Sequence, residues 1–143
     1  MQAYYDDPSR TAETIRDGWL YTQDIVTERD GAYYLVDRAD NVIISGGENI
    51  YPQEIERVLN GHPDVATAAV TGRSDSQFGE RVVAYVVPAE DSLSAAELER
   101  YWLEDQDRVA DFKRPRQYSF VTDVPTNESG KIKRNSLPTT EFE

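Results

Sequence analysis

Cysteine is absent from the 143 residues, which excludes disulfides and thiolate metal sites and fits a cytoplasmic protein. The one histidine, His62, stands in the turn-like stretch "NGHPDV". Metal sites draw on several converging ligands, so none is expected, and a Ser/His/Asp triad has no base to build on. No run approaches the roughly 18 apolar residues of a membrane-spanning helix. The first residues, "MQAYYDDPSR", lack the basic start and apolar run of a secretory signal. Lysine is scarce as well, with three against twelve arginines.

Acid dominates what is there: 27 Asp and Glu against 15 Lys and Arg give a net charge of −12. A surface so rich in carboxylates and poor in lysine suits a high-salt habitat, where salt screens its self-repulsion, or an acidic mesophilic domain. The charge is uneven. Residues 1–107 hold 8 basic and 22 acidic groups, whereas residues 108–134 hold 7 basic and 3 acidic. This cationic island ends in "PTNESGKIKR". It is either a solvated basic stretch or a surface for an anionic partner. Nucleic acid is disfavoured, because nonspecific binding needs many phosphate contacts and the bulk of the chain would repel them.

Glycine and proline divide the chain. The runs 19–26 and 32–38 flank "TERDG" as a hairpin-like strand pair. Residues 41–50, "NVIISGGENI", form a short β-rich run broken by two glycines. A helix follows over 51–61, with Pro52 in its first turn and Ile55, Val58 and Leu59 on one stripe. Residues 64–73 and 80–88 are near-continuous apolar runs, as expected of strands buried on both faces. A second helix is expected over 94–105, where Ser94 and Glu97 make a capping box and Leu98, Tyr101 and Trp102 share a face. Residues 117–121 give a last short strand. The order from residue 41 is β-α-β-β-α-β, an α+β fold with a short central sheet flanked by helices, preceded by a β-hairpin. The first 39 residues carry no core-forming unit and read as part of something larger.

Several chemistries are excluded. "NESGKIK" lacks the earlier glycine and the following Ser or Thr of a P-loop, and "SGGENI" lacks dinucleotide-fingerprint spacing. Five polar motifs remain: "YTQD", "DRADN", "ISGGENIYPQEIE", "DFKRPR" and "SGKIKR". Their order and spacing, from about Tyr4 to Leu137, resemble the C-terminal part of the AMP-forming acyl-CoA synthetases. These adenylate-forming ligases include the fatty-acid and aryl-acid CoA ligases.

The resemblance implies a small C-terminal lid domain, here 40–143, and a piece of the large N-terminal domain, here 1–39. The family joins a carboxylic acid to coenzyme A through an acyl-adenylate, using ATP and Mg2+. Its lid rotates between the two half-reactions. Lys131 matches the catalytic lysine, where a mobile ammonium stabilises the anionic oxygens of in-line attack at phosphorus. Asp24 matches the acid that accepts the ribose hydroxyls of ATP, with Gln23 in place of the usual glycine. Arg38 matches a second nucleotide contact, with Asp37 in place of the usual glycine. Asp40 matches the hinge. Gly46 and Gly47 match the strand lining the pantetheine tunnel. Phe78, Phe112, Arg114 and Arg116 match the CoA nucleotide site, where aromatic faces stack on adenine and guanidinium forks hold phosphate.

The phosphate loop and the acyl pocket of such enzymes belong to the N-terminal domain and are not among these motifs. The chain is therefore expected to be inactive alone, to bind no cofactor by itself, and to need the N-terminal domain as its partner. Two other readings stay open: an adenylation-domain fragment that serves a carrier protein, and a free-standing nucleotide- or CoA-binding module.

Overall fold

The computed structural model describes residues 1–104 and 109–138. The chain divides into two units, Met1–Asp40 and the part from Asn41 onward.

In the first unit, Asp7 caps a helix that the sequence reading did not foresee, α1 (Pro8–Thr14). Asp7 Oδ1 accepts the Arg10 N–H at 2.9 Å and Pro8 opens the first turn, so the start signal was present without an apolar stripe behind it. Two hairpins follow. β1 (Ile15–Arg16) pairs with β2 (Trp19–Leu20), and β3 (Asp24–Arg29) pairs with β4 (Ala32–Arg38). Both turn on Asp-Gly pairs at positive φ, Asp17-Gly18 and Asp30-Gly31, the geometry that matches strand twist in a two-residue turn. The expected strand over 19–26 is thus broken at Tyr21–Gln23, and the turn is two residues long, not five. Among the described residues, only Asp37 is buried in this unit.

The second unit has the expected α+β architecture with one change in element order. The run 41–50 is two strands, β5 (Ile43–Ser45) and β6 (Glu48–Ile50), because Gly46 and Gly47 both take positive φ and turn the chain back. Then come α2 (Pro52–Leu59), β7 (Val65–Asp75), β8 (Gly79–Pro88), α3 (Ala95–Glu104) and β9 (Gln117–Phe120). Residue 105, the end of the expected second helix, lies outside the described residues. The Ser94–Glu97 capping box is formed, with Glu97 Oε2 accepting the Ser94 N–H at 2.9 Å. β7 runs antiparallel along one edge of β8. The other edge of β8 takes β5 at Gly79 and, from Val83 on, β9 in parallel.

The apolar runs of β7 and β8 are explained by two cores. On one face Val70, Val82, Ala84 and Val86 meet Ile55 and Leu59 of α2 and Leu98 and Trp102 of α3. On the other face Ala69, Val83 and Tyr85 meet Val124, Leu137 and Ile132. Both helices pack against the same core. The opposite face is covered by the irregular segment that carries Lys131.

Candidate active site

Lys131 sits on a small hairpin, not a loose loop. The Asn127 N–H donates to the Lys131 carbonyl at 2.8 Å, and the Lys133 N–H donates to the Pro125 carbonyl at 2.8 Å. Asn127, which the sequence reading did not single out, organises the tip. Its Oδ1 accepts from the Ser129 N–H, the Ser129 hydroxyl and the Lys131 N–H at 3.0, 2.8 and 2.8 Å. Gly130 at φ +77 closes the turn where a side chain would be strained. Ile132 packs on the core below. Lys131 itself is exposed, and among the described residues its ammonium has no hydrogen-bond or carboxylate partner. A cation displayed on a fixed stem is suited to an anion arriving from outside.

Five of the six residues matched to CoA surround one cavity of about 430 Å³. It opens where the edge of β8 passes from β5 to β9. Gly46, Phe78, Phe112, Arg114 and Arg116 line it, together with Glu48 and Arg81. Phe78 and Phe112 are 49% and 45% exposed, so neither is a core residue. Arg114 Nε is buried without a hydrogen bond, with Asp111 Oδ1 at 3.4 Å. Arg116 faces the same carboxylate at 4.0 Å. A Cβ on Gly46 would meet Phe78 at 3.6 Å, whereas one on Gly47 would meet nothing within 4 Å. Gly47 is outside the cavity lining, and its φ of +87 already demands glycine.

Asp75, outside the lining itself, holds two of the lining residues, Phe78 and Arg81. Its carboxylate accepts the N–H groups of Phe78 and Gln77, each at 2.9 Å, and pairs with Arg81 at 2.6 Å. These bonds, led by the Phe78 amide, hold its carboxyl below the ordinary range. Arg81 and Asp75 carry no local motif, which is why the sequence did not disclose them. Nearby, the Tyr118 hydroxyl is buried with no hydrogen bond, and burial pushes its pKa up to about 12.

The nucleotide candidates lie together in the first unit. Arg38 Nε and Nη2 donate to the two oxygens of Asp40 at 3.0 and 3.3 Å, and Arg38 Nη1 lies 3.6 Å from Asp24. Asp40, through its hydrogen bond and charge, holds the guanidinium above its ordinary pKa. Asp37 points inward and accepts the Arg38 N–H at 2.7 Å. Gln23 takes φ +65, a conformation that favours glycine, at a cost of about 1–2 kcal/mol. Arg38 also lines an opening of about 530 Å³ with Arg10, Arg16, Tyr4 and Tyr21, none of which was foreseen.

The second unit thus displays an exposed lysine on a hairpin over one face of its sheet, and an arginine–aromatic cavity at the edge of the same sheet. Residues 54–131 match the family model described as the AMP-binding enzyme C-terminal domain, and the chain belongs to that family. It is 44% identical over 96% of its length to a fatty acid–[acyl-carrier-protein] ligase of Streptomyces coeruleorubidus, covering 26% of that enzyme. It is 42% identical over 96% of its length to a feruloyl-CoA synthase of an Amycolatopsis species, covering 28% of it. Among solved structures, o-succinylbenzoate CoA synthetase from Bacillus subtilis, in complex with its acyl-adenylate intermediate, superposes with a TM-score of 0.88. That match has 38% identity and covers 98% of this chain and 28% of that one. The chain thus spans little more than a quarter of the length of these relatives. Among the described residues, no helix is long and apolar enough to cross a membrane.

Proposed function

We propose that this chain supplies the C-terminal lid, residues 40–143, and the adjoining end of the N-terminal domain, residues 1–39, of an ATP-dependent, AMP-forming acyl-CoA ligase. In the first half-reaction a carboxylate attacks the α-phosphorus of ATP and pyrophosphate leaves. Lys131 offers its ammonium to the oxygens that gain charge. Asp24 and Arg38 hold the nucleotide, and Asp40 is the hinge. In the second half-reaction a thiol attacks the acyl carbonyl and AMP leaves. Gly46 and Gly47 admit the thin arm of coenzyme A, while Phe78, Phe112, Arg114 and Arg116 hold its nucleotide. The partners are the N-terminal domain and a small carboxylic acid. Fatty-acid metabolism, a cytoplasmic location and a high-salt habitat complete the proposal, the last supported by the charge of −12.

One observation carries this reading: exposed aromatics and arginines from distant parts of the chain converge on a single cavity, where Arg114 Nε is buried without a hydrogen bond. That donor set fits a base and phosphates. Mg2+ would accompany ATP in the complete enzyme, and among the described residues no group of three or more His, Cys, Asp or Glu could hold it. A carrier-protein partner is the second reading, favoured by the 44% identity to a carrier-protein ligase. A free-standing module is disfavoured by the apolar side chains that the first unit leaves exposed.

The test is a graft. A feruloyl-CoA synthase whose corresponding C-terminal part is replaced by this chain is expected to form acyl-CoA. The 143 residues alone, with ATP, CoA and a panel of carboxylic acids, are expected to form none. Turnover by the purified chain alone would overturn the lid reading.

A further inference from the structure

β7 is an edge strand, paired only with β8, and its outward peptide groups need partners. Side chains supply them. Asn60 Oδ1 accepts the Ala68 N–H at 2.9 Å. Glu56 Oε1, from α2, accepts the Val70 N–H at 2.8 Å. Arg134 Nε donates to the Val70 carbonyl at 3.1 Å. Arg134 Nη2 also donates to Glu56 Oε1 and Oε2 at 2.8 and 2.9 Å. One ion pair thus straddles Val70 and ties the helix face of the sheet to the opposite face. Its side chains are only 15% and 10% exposed.

Arg134 follows Lys131 by three residues, directly after Lys133 closes the lysine hairpin. We propose that the Glu56–Arg134 pair, wrapped over the β7 edge, is a positioning device that fixes the base of this hairpin and so places the Lys131 ammonium for chemistry. This rests on the proposed role of Lys131. A second anchor lies beyond: Arg73 Nη2 donates to the carbonyls of Leu137 and Pro138 at 3.1 and 2.9 Å. The chain is therefore held downstream of the pair as well, and loosening the pair frees the hairpin more than the terminal segment. A guanidinium fork on a carboxylate fixes direction as well as charge, which an exposed hairpin cannot do for itself.

Two mild variants keep the site filled. Glu56→Gln keeps the acceptor for Val70 but loses the charge, and Arg134→Lys keeps the charge but loses the fork. In the 143-residue chain, with folding checked by thermal melting, both are expected to speed amide exchange at Asn127, Lys131 and Lys133 by roughly tenfold or more, while β8 amides stay protected. In the grafted ligase, both are expected to slow adenylate formation by about ten- to a hundredfold with KM for ATP unchanged, and to spare thioester formation from supplied acyl-adenylate. A purely structural role would lower both half-reactions together, and that outcome overturns the proposal. If Lys131→Ala abolishes adenylation while both variants leave its rate and hairpin exchange unchanged, the positioning role alone falls. If Lys131→Ala leaves adenylation intact, the catalytic reading falls and this one with it.

Discussion

Each unit holds one of the two tryptophans, and they report opposite surroundings. Trp19 in the first unit is 73% exposed, whereas Trp102 in the second is 4% exposed. The same contrast runs through the buried apolar positions. All the buried hydrophobic residues lie in the second unit, where two cores sandwich the sheet. In the first unit Val26, Tyr33, Tyr34 and Leu35 stay exposed on the long hairpin. A hairpin of this kind is marginal by itself in water. The first unit therefore gains little stability from burial within itself, whereas the second is stabilised from within.

The sharpest way to break that contrast is to cut matching side chains. Ile55→Ala should destabilise the second unit by about 2–5 kcal/mol, since it opens a cavity in a dense core. Val26→Ala should change stability by no more than about 0.5 kcal/mol. Both are read by urea unfolding through Trp102 emission in a Trp19→Phe background. Equal losses would mean that the hairpin carries a share of the core's stability.

Alkali offers a second route. The raised pKa of Tyr118 means that the unfolded chain loses that proton first as pH rises. Stability is fully present below the ordinary tyrosine value of about 10 and drains away as pH climbs toward about 12. Tyr118→Phe should flatten that part of the stability curve, and an unchanged curve would show that the hydroxyl is not buried in solution.

The smallest expected effect is at the cap of α3. Ser94→Ala should cost about 1 kcal/mol at neutral pH. The Ser94 hydroxyl and amide hold Glu97 below its ordinary pKa. This contribution is therefore present above the ordinary glutamate value and is lost as pH falls through the lowered one. The gap between mutant and wild type should accordingly close in acid.

The second unit was the more legible in sequence, and for the same physical reason. Ile55 and Leu59, the capping box and the two apolar runs record local contacts that repeat along the chain. The first unit withheld α1 because its Asp-Pro start precedes no apolar stripe. It broke a strand at Gln23 because a non-glycine residue there accepts a positive φ. Gly46-Gly47 was visible as a break but not as a hairpin. The positions of Lys131, Arg114 and Arg116 could be read from their motifs. Glu56 and Arg134 could not be paired from sequence, because they meet across 78 residues around the edge of a strand. Arg81 likewise joins the cavity, held by Asp75, only once β7 and β8 are paired.

The most direct test of two anion-meeting places on one unit is a crossed pair of half-reactions in the grafted ligase. Lys131→Ala should slow adenylate formation severely and leave thioester formation from supplied acyl-adenylate nearly intact. Arg114→Ala with Arg116→Ala should leave adenylation intact and raise KM for CoA at least roughly tenfold, since a charge-assisted bond to phosphate is worth about 1.5–3 kcal/mol. All are measured at one ionic strength, because salt screens exposed charges. A crossed pattern is the expected result. Equal losses in both half-reactions for both variants would contradict the assignment of separate work to the hairpin and the cavity.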